Sequence, residues 1–272
     1  MRNSAHPITN KQKLSFTFNG KKYFGYKGDT LASALIANNV KLVGRSFKYH
    51  RPRGIFSAGS EEPNALVEIG DGPFKEPNTK ATNVELFDGL KASSQNFLGS
   101  INYDLMAIND FFKNFIGAGF YYKTFMWPRR FWEKLYEPVI RRAAGLGKLS
   151  LKPDPSQYDK GYLHCDFLII GSGISGLMSA LLLAETGSEV LIIEEDFILG
   201  GRLNSESFAI NGKQSSIWID QAVKKLNSLK NVRILNRTTV FAAFDHGIFA
   251  AIEKKTDHIL EKSSKPRQIN WK

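Results

Sequence analysis

The sequence of 272 residues contains one cysteine, Cys165. A single thiol excludes an internal disulfide, a CxxC redox pair, a four-cysteine zinc site and a cysteine-ligated iron-sulfur cluster within this chain. Low cysteine usage also predicts a reducing compartment, so we expect a cytoplasmic protein. The five histidines show no metal-ligand spacing, and we therefore predict no metal site.

We also expect no export signal. The opening residues, MRNSAHPITNKQKL, have no apolar core of the kind a signal peptide needs. Residues 167–184 carry no charge and could be mistaken for a membrane span. Their glycines and serines have the spacing of a nucleotide-binding turn, which predicts a buried strand followed by a helix. We therefore predict no membrane partner.

The composition is that of a soluble globular protein, with 42% hydrophobic and 23% charged residues, and the length allows about two domains. The formal net charge is +11, and residues 1–70 hold 11 Lys and Arg against 4 Asp and Glu. The dense part of this basic region comprises Arg45, Phe47, Lys48, Tyr49, His50, Arg51 and Arg53. It fits a solvated surface, or a site for an anionic ligand or an acidic subunit. Nucleic acid is the least favoured partner, and we predict none.

The first part of the chain has the element order of a β-grasp module. Two short strands flank Asn19-Gly20, which predicts a hairpin. Asp29 or Thr30 can cap a following helix, and residues 65–69 read as a later strand. Residues 70–83 are rich in Gly, Pro, Asn and Thr and indicate a linker or a long loop.

The middle of the chain is aromatic. One predicted helix has an apolar stripe of Leu105, Ile108, Phe111, Phe112, Phe115 and Ile116. A second, near residues 131–144, contains Pro138 as a kink or a restart. Such stripes usually lie in a core, and a subunit contact surface is the alternative. We predict three parts: a β-grasp module at 12–83, an aromatic helical connector at 84–160 and a Rossmann-type domain at 161–272.

The most specific motif is GxGxxG between a predicted strand and a predicted helix, the context that dinucleotide binding requires. Gly171 makes the tight turn, Gly173 admits a pyrophosphate to the backbone, and Gly176 lets helix and strand pack closely. Unpaired amides at the helix start would face the phosphates. Ser172 and Ser175 belong to the same predicted loop.

A second predicted strand, residues 189–193, ends at Glu194, 23 residues after the first glycine of the motif. At this spacing a carboxylate accepts hydrogen bonds from adenosine ribose hydroxyls and disfavours NADP. Glu195 is the rival, and strand parity favours Glu194. Gly200, Gly201 and Arg202 follow at the distance typical of FAD- or NAD-binding proteins. We predict bound NAD, with FAD as the alternative.

The remaining pattern predicts a helix at 217–229, a third parallel strand at 232–235 and a hairpin around residues 245–247. A β-meander in this place is typical of the flavoprotein-type Rossmann domain. Such a domain should continue into a further parallel strand, so we expect the domain to be truncated.

These motifs resemble a known family. The runs GRSFKYHRPRGIFSAGSEEPNALVEIG, AGFYYKTFMWP, FWEKLYEPVIRRAAGLG and HCDFLIIGSGISGL are similar to the N-terminal part of the alpha subunit of heterotetrameric sarcosine oxidase. The resemblance implies a β-grasp module, a domain that holds NAD, and a C-terminal region, absent here, that binds tetrahydrofolate. It also implies beta, gamma and delta partner subunits, with FMN and FAD held on the partner.

The activity implied by the resemblance is the oxidative demethylation of sarcosine to glycine, with hydrogen peroxide and a one-carbon unit that tetrahydrofolate accepts. The isolated chain would be inactive, and we assign it no catalytic residue. Lys48 and His50 could meet a flavin phosphate at a subunit interface.

The chain departs from its relatives at one place. The cysteine pattern of 2Fe-2S relatives would fall on Ser57, Glu62 and Ala65, none of which replaces a thiolate, so we predict that the cluster is lost.

Two alternatives remain for the function. One is the alpha component of a related amine or amino-acid oxidoreductase, and the other is a non-catalytic split-gene fragment that acts as an assembly module.

Overall fold

The computed structural model describes residues 12–121, 125, 127–145, 147–206, 209–259 and 265–272. The chain divides into two compact units, one within residues 10–154 and the other within 155–272. The strands of the first unit are β1 (Lys13–Phe18), β2 (Lys21–Tyr26), β3 (Gly44–Arg45), β4 (Pro52–Arg53), β5 (Leu66–Ile69), β6 (Glu76–Lys80) and β7 (Leu90–Ser94). Its α-helices are α1 (Leu31–Ala37), α2 (Ile108–Phe111) and α3 (Glu137–Ala144).

Five strands of the first unit form one mixed sheet in the order β2-β1-β7-β5-β6. β1 is antiparallel to β2 and parallel to β7, which lies at the centre of the sheet. Asn19 and Gly20 both have positive φ, as the predicted hairpin turn requires. The predicted β-grasp order of hairpin, helix and later strands is confirmed.

Helix α1 packs on this sheet through four buried side chains, those of Leu31, Ala32, Ala34 and Leu35. Thr30 begins the helix, because its hydroxyl accepts from the Ser33 amide while the Ser33 hydroxyl accepts from the Thr30 amide. The choice left open between Asp29 and Thr30 is therefore resolved for the N-cap. The Asp29 carboxylate instead accepts from the Tyr26 amide and the Ser33 hydroxyl.

The prediction of a linker or a long loop at residues 70–83 is wrong. This segment contains β6, which pairs with β5 at the edge of the sheet, and 3₁₀ turns at Gly72–Phe74 and Ala81–Asn83. Its sequence, EPNTK, is polar and contains Pro77, which is typical of an edge strand and masks the strand signal. The sheet then continues through β7.

Part of the connector predicted at 84–160 belongs to the sheet, because β7 lies within that range. Residues 98–144, called the connector segment below, differ from their prediction in the first helix. The first expected helix is only a 3₁₀ turn at Leu105–Ala107 followed by the four residues of α2. Its apolar side chains do not form a core, since Phe111 and Phe115 are 83% and 84% exposed. The second helix is confirmed: a 3₁₀ turn (Arg129–Phe131) and a π-helical turn (Trp132–Tyr136) lead into α3. Pro138 lies in the first turn of α3 and therefore marks a restart.

The strands of the second unit are β8 (Tyr158–Gly161), β9 (Phe167–Ile170), β10 (Val190–Ile193), β11 (Ala209–Ile210), β12 (Lys213–Gln214), β13 (Val232–Leu235), β14 (Thr238–Phe244), β15 (Ile248–Lys254) and β16 (Gln268–Trp271). Its helices are α4 (Ile174–Glu185) and α5 (Ser215–Ser228), with 3₁₀ turns at Gly201–Asn204 and Asp245–Gly247.

A three-stranded parallel sheet, in the order β13-β10-β9, forms the centre of the second unit. Helices α4 and α5 bury Leu177, Ala180, Trp218 and Leu226 in one cluster with this sheet. A second sheet has the order β14-β15-β16-β8, and β14 and β15 form an antiparallel pair. The predicted third parallel strand and the later hairpin are confirmed.

The uncharged run at residues 167–184 divides into β9 and α4, as its glycines predict. Within the described residues, no helix is long and apolar enough to span a membrane.

Candidate dinucleotide site

The glycine loop between β9 and α4 satisfies the backbone requirements of its motif. Gly171 has a φ of +93°, a conformation that favours glycine, and its amide donates to the Ile193 carbonyl at 2.8 Å. A Cβ placed on Gly176 would overlap the carbonyl oxygen of Gly171, so only glycine allows this close approach of helix and strand. A Cβ placed on Gly173 would meet no atom within 4 Å. The space beside Gly173 is therefore open.

Helix α4 begins at this open space without a side-chain cap, because Gly173 occupies its N-cap. The first intrahelical bond is donated by the Leu177 amide to the Gly173 carbonyl at 2.9 Å. The amides of the three preceding helical residues, including exposed Ser175, have no intrahelical acceptor. Together with the helix dipole, these amides favour an anionic group at the helix start.

Ser172 connects the glycine loop to the carboxylate at the end of β10. Its amide and its hydroxyl both donate to Glu194 Oε2, at 2.7 and 2.6 Å. The Gly200 amide in turn donates to the carbonyl and hydroxyl oxygens of Ser172, each at 3.1 Å. Ser172 therefore connects the glycine loop, the Glu194 carboxylate and the second glycine pair through hydrogen bonds.

Glu194 is buried at the carboxyl end of β10, whose four residues are all buried. Its backbone is fixed by the neighbouring strand, since its amide donates to the Leu235 carbonyl and its carbonyl accepts from Thr238. The second carboxylate oxygen, Oε1, accepts from the Asp196 amide at 3.0 Å. A carboxylate has about four acceptor positions, so the three donors found among the described residues leave one position for a ligand hydroxyl. Glu195, by contrast, is exposed.

The second pair of glycines lies against the first loop. Gly200 and Gly201 have φ values of +114° and +51°. A Cβ placed on Gly201 would lie 3.3 Å from the Cα of Gly173, which brings the two glycine motifs into backbone proximity. Arg202 does not join them, because its guanidinium pairs with the Glu206 carboxylate at 2.6 Å.

Asp196, which was not among the predicted site residues, also lies at the end of β10. Burial, reinforced by the charges of Glu194 and Glu195, raises the pKa of Asp196 to about 6. In the sequence, the feature that could have indicated Asp196 is the run of three consecutive acidic residues after β10, of which Asp196 is the last. Three carboxylates are therefore concentrated at the end of β10, beside the glycine loop.

Side chains of the basic region in the first unit form hydrogen bonds with the connector segment. His50 is buried, and its Nδ1 lies 2.6 Å from Asp104 Oδ2 while its Nε2 lies 2.8 Å from the Ala143 carbonyl. The hypothesis that His50 meets a flavin phosphate is therefore wrong, because both ring nitrogens have protein partners. Lys48 Nζ donates to the Gly117 carbonyl at 2.9 Å. The described residues contain no group of three His, Cys, Asp or Glu side chains arranged to hold a metal ion.

Comparison with known proteins agrees with this architecture. Residues 11–97 match the 2Fe-2S iron-sulfur cluster binding domain family, and residues 169–233 match the NAD(P)-binding Rossmann-like domain family. The L-proline dehydrogenase of P. horikoshii superposes with a TM-score of 0.54 at 21% identity, over 100% of this chain and 41% of that one. That likeness shows the fold, and the predicted fold class of a ferredoxin-like β-grasp module followed by an FAD/NAD(P)-type Rossmann domain is confirmed.

Sequence relatives cover both units. The chain is 52% identical over 251 residues to the sarcosine oxidase subunit alpha of Rhizobium meliloti, covering 92% of this chain and 25% of that protein. It is 30% identical over 256 residues to the sarcosine oxidase subunit alpha of Corynebacterium sp. (strain U-96), covering 93% and 22%. The chain thus spans about a quarter of the length of these relatives. Over nearly its whole length it is similar to the alpha subunits of sarcosine oxidase, and the resemblance predicted from its motifs is confirmed.

Proposed function

We propose that the second unit binds NAD at the loop from Gly171 to Gly176. The pyrophosphate would lie against the uncapped start of α4, and the adenosine ribose would reach the remaining acceptor position of Glu194. The observation that carries this proposal is the Ser172 linkage, which brings the glycine loop, the Glu194 carboxylate and Gly200 together. The acidic surroundings of Glu194 support NAD over NADP.

We further propose that the chain serves as part of a sarcosine-oxidising complex in the cytoplasm. The reaction would convert sarcosine to glycine, hydrogen peroxide and a one-carbon unit for tetrahydrofolate, and FMN and FAD would be bound by a partner subunit. Support comes from the two relatives named sarcosine oxidase subunit alpha. This chain would contribute dinucleotide binding and assembly, and we assign none of its residues to the chemical step.

The connector segment supports docking on beta, gamma or delta subunits. It carries several large apolar side chains that are strongly exposed: Tyr103, Leu105, Ile108, Phe111, Phe115 and Trp127. Soluble monomers rarely expose many such side chains in one segment, and such exposure marks interaction sites. Arg129 and Arg130, also exposed, would favour an acidic partner surface.

Identification of the nucleotide that purifies with the chain tests the proposed ligand. The chain is purified, its folding is checked by circular dichroism, and any nucleotide released on denaturation is identified by mass spectrometry. NAD is the expected product, whereas FAD would favour a related amine or amino-acid oxidoreductase. A folded chain that carries no nucleotide and shows no calorimetric binding of NAD would favour a purely assembling role.

A matched pair of variants assigns the site. Glu194→Gln removes the buried charge at the ribose position, and we expect NAD affinity to fall by about tenfold or more, as for loss of a charge-assisted hydrogen bond. Glu195→Gln changes the exposed neighbour and should leave affinity within about twofold of the native value. Equal effects of the two substitutions would contradict the assignment.

A further inference from the structure

Glu62 occupies an unusual place in the β-grasp module. It is a carboxylate with 0% exposure, in the loop between β4 and β5. It is also the central member of the three positions where 2Fe-2S relatives would carry cysteine, the others being Ser57 and Ala65. A charged side chain is rarely buried without compensation, so its surroundings indicate its role.

Four backbone amides converge on this one carboxylate. Oε2 accepts from Phe56 and Ser57 at 2.7 and 2.6 Å, and Oε1 accepts from Asn64 and Ala65 at 2.7 and 3.1 Å. These four donors fill the acceptor positions of the carboxylate. Successive amides directed at one point form a cradle for an anion, and here the anion is a side chain of the same loop.

The charge of Glu62 is balanced by these amides. Within the described part of the chain, no lysine, arginine or histidine forms an ion pair with it. Burial acts to raise the pKa of Glu62, but the amides of Ser57, Asn64, Phe56 and Ala65 together lower it below its ordinary value. The side chain is therefore ionised at neutral pH.

The residues of this loop do not fit an iron-sulfur cluster. A cluster needs thiolates, and Ser57, Glu62 and Ala65 offer a hydroxyl, an already saturated carboxylate and a methyl group. Ser57 Oγ is buried and has no hydrogen-bond partner among the described residues. The loop thus keeps amides arranged around a negative centre while lacking the ligands for a metal.

We propose that Glu62 is the internal anion of this cradle and replaces the metal cluster as the group around which the loop folds. The carboxylate gathers amides from both ends of the loop and closes it onto the sheet beside β5. The ligand class of the cradle is a carboxylate, and removal of the side chain creates a site for a small free carboxylate such as formate.

Formate rescue tests this proposal directly. Glu62→Ala in the 272-residue chain should lower the midpoint of thermal unfolding by about 5 °C or more. Sodium formate should restore the midpoint in a saturable manner, whereas sodium chloride at equal ionic strength should not. Glu61→Ala, at the exposed neighbouring position, is the control, and neither it nor the native chain should show a formate-specific gain. A folded Glu62→Ala chain that is as stable as Glu61→Ala, or that formate does not restore, would overturn the proposal.

Two measurements remain decisive if the alanine variant does not fold. Glu62→Gln has nearly the same shape but lacks the charge, and it should also lower the midpoint by about 5 °C or more; native stability in this variant would overturn the proposal. The native chain, treated anaerobically with iron and sulfide, should gain no visible absorption. A stoichiometric, cluster-type spectrum would show that the loop accepts a metal cluster and would refute the role of Glu62.

Discussion

Ser172 donates two hydrogen bonds to the same carboxylate oxygen of Glu194, one from its backbone amide at 2.7 Å and one from its hydroxyl at 2.6 Å. The serine thereby orients the carboxylate that we assign to the ribose. It also places an acceptor in front of the Gly200 amide. Ser172 thus links the glycine loop both to Glu194 and to Gly200.

Ser172→Ala should weaken both the fold and the site. It leaves a buried carboxylate with one donor fewer, which costs roughly 1–3 kcal/mol in the free energy of unfolding. NAD affinity should fall at the same time, because Glu194 loses its orientation. Urea unfolding and calorimetry measure the two effects. Ser175→Ala, at the exposed start of α4, should change stability by less than about 0.5 kcal/mol; an equal loss there would contradict the assignment.

The glycines of the loop should respond differently to alanine. At Gly176 a methyl group would overlap the Gly171 carbonyl, so Gly176→Ala should destabilise the chain by about 2 kcal/mol or more. At Gly173 the φ of −62° suits any residue and the space is open, so Gly173→Ala should leave stability nearly unchanged. The added methyl would instead meet the pyrophosphate, and NAD affinity should fall by about tenfold or more. Unchanged affinity in Gly173→Ala would place the phosphate elsewhere.

Asp196 should make stability depend on pH. Its pKa of about 6 in the folded chain lies above the value of about 3.9 in an unfolded chain. Between these values the folded chain keeps a proton that the unfolded chain has released, so its contribution to stability falls as pH rises from about 4 through about 6. Asp196→Asn should therefore be more stable than the native chain at pH 7 by roughly 1–3 kcal/mol, with the difference vanishing towards pH 4.

Urea unfolding from pH 4 to pH 8 measures this dependence. Asp245→Asn, an exposed control in the same unit, should follow the native curve. Parallel curves for Asp196→Asn and the native chain would contradict the elevated pKa.

His50 should be important for the stability of the first unit. His50→Ala leaves the buried Asp104 Oδ2 without its histidine partner and removes the contact of the ring with the Ala143 carbonyl, which costs roughly 1–3 kcal/mol in the free energy of unfolding. Asp104→Asn in the same chain should recover part of the loss, because an amide costs less than a carboxylate to bury without that partner. Chemical denaturation measures both, and exposed His164→Ala is the control. A double variant that is less stable than His50→Ala would argue against this coupling.

The parts of the fold predicted from sequence are those with strong local signals. Asn19-Gly20 fixes the first hairpin, and the GxGxxG motif fixes the turn from β9 to α4. The edge strand β6 was missed because its polar residues and Pro77 lack the apolar alternation that marks a buried strand. The connector aromatics were misjudged because helical spacing shows that residues share a face, but does not show whether that face is covered.

Within the candidate site, the position of Glu194 after β10 could be predicted because strand parity and spacing are local properties, and its role at the ribose stays a prediction. The Ser172 linkage, the elevated pKa of Asp196 and the Arg202–Glu206 pair depend on three-dimensional proximity, which one sequence does not reveal. The cradle around Glu62 was equally hidden. The spacing of Ser57, Glu62 and Ala65 indicated that the loop lacks the cysteine ligands of a cluster. The structure shows that the Glu62 carboxylate accepts hydrogen bonds from four backbone amides.

The contacts between the basic region and the connector segment bear on protein engineering. Arg45 donates to the Ile101 carbonyl, Tyr49 to the Ile116 carbonyl and Arg51 to the Asp110 carboxylate. Because these two stretches of sequence complete each other's hydrogen bonds, they form a single exchangeable block. Chimaeras between related subunits should keep both stretches from one parent, with crossover points before β3 or after α3.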